Sequence, residues 1–319
     1  MRGLVIRNTG SWYVVLTDEG VRYECKVKGN FRLKGIRSTN PVAVGDRVEI
    51  VPTDCRQGRE DGGEAAPRGF ITDIADRTNY IIRKASNLSK QSSILAANVD
   101  MAYLVVTIAH PTTNTTFIDR FLASAEAYAV PVTIVVNKTD LLSEEEVRQL
   151  DELEQLYAGI GYPVMRTCAL SGGESIDALR MALRDKVSLF AGNSGVGKST
   201  LLSALIPGLN LKTAEISEAH DTGTHTTTFS EMFAVPSGGW VIDTPGVRGF
   251  GTFNMEREEV SHFFREIFAA GADCRFGGCT HTHEPSCAVR QAVADGHIAP
   301  SRYASYLNML EDKDEGKYR

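Results

Sequence analysis

The sequence predicts a multi-domain chain in three parts: an all-β barrel, a central α/β unit around a phosphate-binding loop, and a mostly α C-terminal unit. Three observations carry this. Short, partly alternating strands separated by turns fill residues 1–86. From Val99 strand and helix signals alternate, with a G-x-x-x-x-G-K-S loop among them. Beyond residue 255, helical signals surround three cysteines and two histidines packed into residues 274–287. The expected boundaries are therefore 1–86, 87–254 and 255–319.

Bulk composition limits the function classes. Hydrophobic residues make up 42% and charged residues 23% of the 319, an ordinary globular balance. No apolar run approaches the roughly 18 residues of a membrane span. The start, Met1-Arg2-Gly3-Leu4-Val5-Ile6-Arg7, lacks the apolar core of a secretory signal, so a cytoplasmic location is expected. The net charge of −6 alone argues against a nucleic-acid partner. Residues 1–50, however, hold nine Lys/Arg against five Asp/Glu, so the N-terminal part is free to meet an anion.

In the first part, Gly3–Arg7, Ser11–Leu16, Arg22–Val27, Asp46–Val51 and Phe70–Ile74 read as strands. Five strands in so short a stretch suggest a small closed barrel, with an OB-fold as the favoured version. Gln57–Pro67 reads as an exposed loop. Phe31–Arg37 is a basic loop holding an aromatic, suited either to stacking bases or to simple solvation; Arg32, Lys34 and Arg37 are its candidate contacts. Residues 80–97 read as a connector.

In the second part, Met101–Ile108, Pro131–Val136, Pro163–Thr167 and the run from Val187 are apolar strands. Phe117–Ala129, Glu144–Tyr157 and Ile176–Arg184 have helical periodicity. A largely parallel sheet follows, with ligands expected at the strand C-termini. The loop Gly192-Asn193-Ser194-Gly195-Val196-Gly197-Lys198-Ser199 sits between a strand and the helix opening at Thr200. That context turns a pattern into a site. Backbone N–H groups and the helix N-terminus hold phosphate, Lys198 bridges the β- and γ-phosphates, and the Ser199 hydroxyl holds Mg²⁺.

The base follows from Asn137-Lys138-Thr139-Asp140, after the strand ending at Val136. A carboxylate at Asp140 accepts from guanine N1–H and N2 amino; adenine leaves it unpaired. The Lys138 stem covers the base plane and Asn137 ties this loop to the phosphate loop. Cys168-Ala169-Leu170, after the next strand, resembles an S-A-K/L loop whose backbone meets guanine O6. Asp243-Thr244-Pro245-Gly246, after Trp240-Val241-Ile242, is a D-x-x-G element: Asp243 reaches Mg²⁺ through water and the Gly246 N–H senses the γ-phosphate. Gly223–Thr228 between them is threonine-rich. Thr227 is the favoured Mg²⁺ hydroxyl, with its neighbours as alternatives.

These motifs stand in a permuted order, the base loop preceding the phosphate loop. A circular permutation keeps the sheet while moving the termini. It also makes the D-x-x-G switch lead directly into the C-terminal unit, so that nucleotide state can move that unit. The residue after Gly246 is Val247, which cannot orient water, so slow intrinsic turnover is expected. His225 is the internal substitute, or else a switch-hinge histidine.

Cys274, Cys279, His281 and Cys287 supply three thiolates and an imidazole, the closed tetrahedral set of one structural Zn²⁺, with His283 as competing imidazole. Cys25, Cys55 and Cys168 are scattered, which argues against a disulfide framework.

Taken together, N-K-T-D, G-N-S-G-V-G-K-S, G-T-H-T-T-T, D-T-P-G and C-R-F-x-x-C-x-H-x-x-E-P-x-C closely resemble the ribosome small-subunit-dependent GTPase A family across the chain. The resemblance implies an OB-fold, a circularly permuted GTPase and a zinc domain, acting late in 30S subunit maturation. It implies GTP hydrolysis to GDP and phosphate stimulated by that subunit, contact with 16S rRNA, and His225 as catalytic histidine. A monomer without a DNA or membrane partner is expected. Thr224 stands where many relatives carry a basic or amide side chain. The competing expectation is an RNA-binding assembly scaffold in which GTP sets affinity and hydrolysis is incidental; Val247 favours it.

Overall fold

The computed structural model describes residues 1–28, 41–53, 66–84, 92–209, 230–244 and 256–315. Alternation of side chains builds the first part. Strands β1 (Arg2–Asn8), β2 (Tyr13–Thr17), β3 (Arg22–Val27), β4 (Arg47–Thr53) and β5 (Arg68–Ile74) pair in the order β1-β2-β3-β5-β4. β4 returns to β1 at Arg2↔Glu49 and closes the barrel. β3 and β5 run parallel; the other barrel pairs are antiparallel. This is an OB-type barrel. Val5, Tyr13, Val15, Cys25, Val48, Ile50 and Ile71 point inward as its core.

The stretch read as a connector is a hairpin of β6 (Tyr80–Lys84) and β7 (Ser92–Ala97), which straddles the expected boundary at residue 86. Ile81 and Ile82 are both buried, as are Ile94 to Ala97, so the polar–apolar alternation that announces a strand is missing. Arg77 clips the hairpin region to the barrel: its guanidinium donates to both carboxylate oxygens of buried Asp46 at 2.7 Å.

The central unit comprises β8 (Met101–Val106), α1 (Thr115–Ala127), β9 (Val132–Val136), α2 (Glu144–Gly159), β10 (Val164–Arg166), α3 (Glu174–Ala182), β11 (Val187–Gly192), α4 (Lys198–Leu205), β12 (Glu231–Ala234) and β13 (Trp240–Asp243). Its strands lie in the order β10-β9-β8-β11-β13-β12. The strand leading into the phosphate loop, β11, is central: earlier strands lie to one side and later ones to the other. A permuted chain thereby keeps an unbroken sheet. All neighbours are parallel except β12, a strand the sequence reading lacked, which runs antiparallel to β13 and meets β1 at Arg7↔Glu231. On one face, Ile118, Phe121, Leu150 and Tyr157 of α1 and α2 cover Leu104, Val106 and Ile134. On the other, Ile176, Leu179, Leu201 and Leu202 of α3 and α4 cover Tyr103, Val105 and Phe190. Both faces of β8 are buried, hence its continuous apolar run.

The last part opens with a 3-10 segment, Arg257–Phe263, followed by α5 (Arg265–Gly271). Phe264 takes an extended conformation between them, because its fully buried ring packs edge-on against Tyr306. After α6 (Ala288–Ala294), α7 spans Pro300–Glu315.

Two arginines lock this part onto the central unit. Arg302 of α7, 1% exposed, donates to Asp119 of α1 at 2.8 Å and to both oxygens of Glu266 at 2.7 and 3.1 Å. Arg265 donates to Glu126 at 2.8 Å and to the Gly161 carbonyl at 2.7 Å, and lies over Tyr162. Tyr157 donates to Asp119 at 2.8 Å; burial, then the adjacent carboxylate, raise its pKa well above the usual tyrosine range, so it remains a donor.

Candidate nucleotide site and metal centre

β11 ends at Gly192 and α4 starts at Lys198, with the loop between them at the C-terminal end of that central strand. Side chains are excluded where it passes its neighbours. A Cβ on Gly192 would stand 2.4 Å from the Val105 carbonyl oxygen, and one on Gly197 (φ 85°) 2.5 Å from Asn137 Nδ2. Val196 is fully buried, whereas Ser194 and Gly195 are exposed. Gly197 caps α4 without a side-chain bond, so its first N–H groups are left for an anion. Ser199 and Thr200 follow in that first turn, half-buried. Lys198, 8% exposed, donates to the Asp243 carboxylate and the Thr244 carbonyl, joining the phosphate loop to the end of β13. Thr244 in turn donates to the Phe190 carbonyl at 2.9 Å.

The base loop is built from β9 outward. Asn137, 1% exposed, donates to the Val196 carbonyl at 2.9 Å and accepts from Thr167 at 3.2 Å and the Ala169 N–H at 3.3 Å. One amide thus ties three loops together. Lys138 takes a left-handed conformation (φ 62°), and its ammonium reaches the Gly195 carbonyl at 2.7 Å. Thr139 donates through N–H and hydroxyl to Thr167 at 3.3 and 3.2 Å. Asp140 is exposed in the 3-10 turn Thr139–Leu141, in reach of a ligand. Cys168 is buried, and Leu170 is 83% exposed at the rim.

The structure therefore brings the phosphate loop, Asp243, the base loop and Cys168–Leu170 to the C-terminal ends of β11, β13, β9 and β10. That is where a parallel sheet takes a nucleotide. Gly246, Val247, His225 and Thr227 lie outside the described residues, as do Arg32, Lys34, Arg37 and Cys55 and most of the Gln57–Pro67 loop. One contributor was missed in the sequence. The loop after β8 supplies the His110 carbonyl, 2.5 Å from the Lys138 ammonium, and sets Pro111 against Gly195. A backbone carbonyl has no side-chain signature; Pro111 was the single available hint.

In the C-terminal unit the ligand atoms of Cys274, Cys279, His281 and Cys287 all lie within 4.8 Å of one another. His281 Nδ1 stands 3.5 Å from both Cys274 Sγ and Cys287 Sγ. Burial lowers the His281 pKa and favours the neutral imidazole that a metal accepts. His283 is exposed and bonded to Thr282 instead. Glu284 braces the turn by accepting from Thr280 N–H at 2.7 Å and hydroxyl at 2.6 Å. Burial pushes its carboxyl up, but those bonds outweigh it and hold the pKa well below the usual range. Tyr303 and Tyr306 donate to the His281 and Thr280 carbonyls at 2.6 and 2.7 Å, anchoring the segment to α7. Three sulfurs and one nitrogen converging so closely fit a closed tetrahedral metal site.

Comparison with known proteins agrees with this arrangement. Residues 74–253 match the family model described as RsgA GTPase, and residues 2–59 the RsgA N-terminal domain. The protein of Bacteroides fragilis named Small ribosomal subunit biogenesis GTPase RsgA is 62% identical over 319 residues, covering 100% of this chain and 99% of its own length. Bacteroides thetaiotaomicron RsgA 2 is 60% identical with the same coverage. The crystal structure of YjeQ from Thermotoga maritima superposes with a TM-score of 0.73 at 36% identity, over 98% of this chain and 97% of that one. YloQ, described as a circularly permuted GTPase, gives 0.70 at 28% identity, over 100% and 96%. The chain belongs to the RsgA GTPase family, and its chemistry is the hydrolysis of GTP.

Proposed function

We propose that this GTPase times a late step in small ribosomal subunit biogenesis: its GTP form binds the 30S subunit and 16S rRNA, and hydrolysis to GDP releases it. The observation that carries this is the full-length likeness to relatives bearing that name, 62% identical across 319 residues. Within the site, Lys198 neutralises the β- and γ-phosphates, Ser199 and Asp243 hold Mg²⁺ with Thr227, and the Gly246 N–H follows the γ-phosphate. Asp140 selects guanine, Lys138 and Leu170 flank the base, and His225 orients the attacking water. The ion at Cys274, Cys279, His281 and Cys287 is Zn²⁺ in a folding role, which the S₃N donor set supports. The unit works as a monomer in the cytoplasm, with the boundary of its C-terminal domain near residue 254.

GTP turnover by the purified chain, alone and with 30S or 50S subunits, tests the proposal. Strong stimulation by 30S alone supports it; equal, slow turnover in all three overturns it. Val247, in place of a water-orienting glutamine, favours a second reading in which GTP only sets RNA affinity. His225→Ala separates the two: a timer loses release from the subunit, whereas a scaffold continues to assemble and dissociate.

A further inference from the structure

Lys138 spans two loops that are distant in sequence. Its ammonium is held from one side by the Gly195 carbonyl at 2.7 Å and from the other by the His110 carbonyl at 2.5 Å. Its stem runs beside the phosphate loop, where a Cβ on Gly197 would stand 3.6 Å from Lys138 Cε. With backbone and ammonium both fixed, the methylenes between them lose the freedom a lysine has on an open surface. The Gly195 contact comes from the phosphate loop. The His110 contact comes from the connection between β8 and α1, which carries no nucleotide motif.

That connection is closed by two buried threonines. Thr107 is 1% and Thr113 8% exposed. The Thr113 N–H donates to the Thr107 carbonyl at 2.9 Å, and the Thr107 N–H to the Thr113 hydroxyl at 3.1 Å. The Thr107 hydroxyl donates to the Pro111 carbonyl. The tip, His110 to Thr112, is exposed. His110 takes a left-handed conformation (φ 56°), as Lys138 does opposite it. A non-glycine residue keeps that conformation where its surroundings impose it. The Pro111 ring sets the tip against the phosphate loop, since a Cβ on Gly195 would stand 3.3 Å from Pro111 Cδ. A plain strand-to-helix connection has no use for a carbonyl aimed at a lysine. A lysine stem that must lie against the face of a base does, because a free ammonium would draw the stem into water.

We propose that Thr107 is a positioning residue for nucleotide binding. Through the Pro111 carbonyl it holds the 107–113 loop, whose His110 carbonyl fixes Lys138 against the guanine face. The stem is then in place before the base arrives, so less ordering is left to be done on binding. The inference rests on the reading of Asn137–Asp140 as the guanine loop. The loop adds no group to the phosphates, Mg²⁺ or the attacking water, so it acts on affinity and not on the chemical step.

Thr107→Val deletes the hydroxyl at similar volume, and Thr107→Ser keeps it. In the full-length chain, Thr107→Val should weaken GDP binding in calorimetric titration about tenfold, the worth of one weakened charge-assisted bond. Thr107→Ser should restore it. KM for GTP should rise by the same factor with kcat unchanged, because slow turnover lets KM follow dissociation. Added to Lys138→Ala, Thr107→Val should cost no further affinity. Pro111→Ala, at the exposed tip, should weaken GDP binding in the same direction and carries the test if Thr107→Val does not fold. Unchanged GDP affinity in these variants, a fall in kcat in place of a rise in KM, or full additivity with Lys138→Ala overturns the proposal. Asp140→Ala reads the guanine loop separately. If it binds GDP as the native chain does, the base reading itself fails; if it loses GDP while Thr107→Val and Pro111→Ala do not, only the positioning role fails.

Discussion

The nucleotide site and the metal centre are both ligand sites, yet they are built in opposite ways. Around the nucleotide site the protein satisfies its own loops: Asn137 bonds to two other segments, Lys138 to two carbonyls, and Lys198 to Asp243 and Thr244. Those loops hang from a sheet covered on both faces by apolar layers. The metal centre lies in the irregular stretch between α5 and α6, where four donors converge and few apolar side chains do. The difference separates a site that precedes its ligand from one whose ligand completes the core.

Removing the metal should show this difference most strongly. A chelator, or Cys279→Ser, is expected to unfold the 274–287 segment, since structural zinc contributes on the order of 10 kcal/mol to small domains. Hydrogen exchange should rise sharply there while GDP affinity of the central unit is retained. Loss of GDP binding on chelation would show that the two sites are not independent. Arg302→Met comes next. It leaves Asp119 and Glu266 buried without their cation, a loss of about 3–5 kcal/mol, read as a lower unfolding midpoint. If GDP affinity falls as well, helix α1 couples the two sites.

On the nucleotide side, Asp140→Ala should leave the melting temperature unchanged and weaken GDP binding by about two to four orders of magnitude, through loss of two charge-assisted bonds of about 1.5–3 kcal/mol each. Calorimetric titration checks it; an equal loss of stability would mean that Asp140 is structural. The smallest effect is expected at Asn114, whose side chain caps α1 by accepting from Thr116 N–H at 2.7 Å. Asn114→Ala should cost about 1 kcal/mol of stability by denaturant titration. It bears on the comparison because α1 runs from the loop beside Gly195 to the arginines that hold the C-terminal unit.

Much of both sites was legible because their requirements are local. A phosphate loop needs glycines at set spacings, a guanine loop needs a carboxylate after a strand, and a metal needs thiolates close in sequence. The sequence favoured His281 but kept His283 as its competitor, since both lie within reach of Cys279 and Cys287 in the chain. The turn that faces His281 Nδ1 into the cluster is held by Tyr303 and Glu284.

The sequence by itself determined the three-part order, the permuted nucleotide motifs, the metal donors and most of the strands, because periodicity and turn chemistry act over a few residues. Tertiary structure alone decided the β6–β7 hairpin, whose double burial erases alternation, and β12, recruited as an antiparallel edge that joins barrel to sheet. It also decided the partner of Arg302, which lies 183 residues away in Asp119. A buried charge must find its counterion wherever the fold delivers one, and no local pattern records that address.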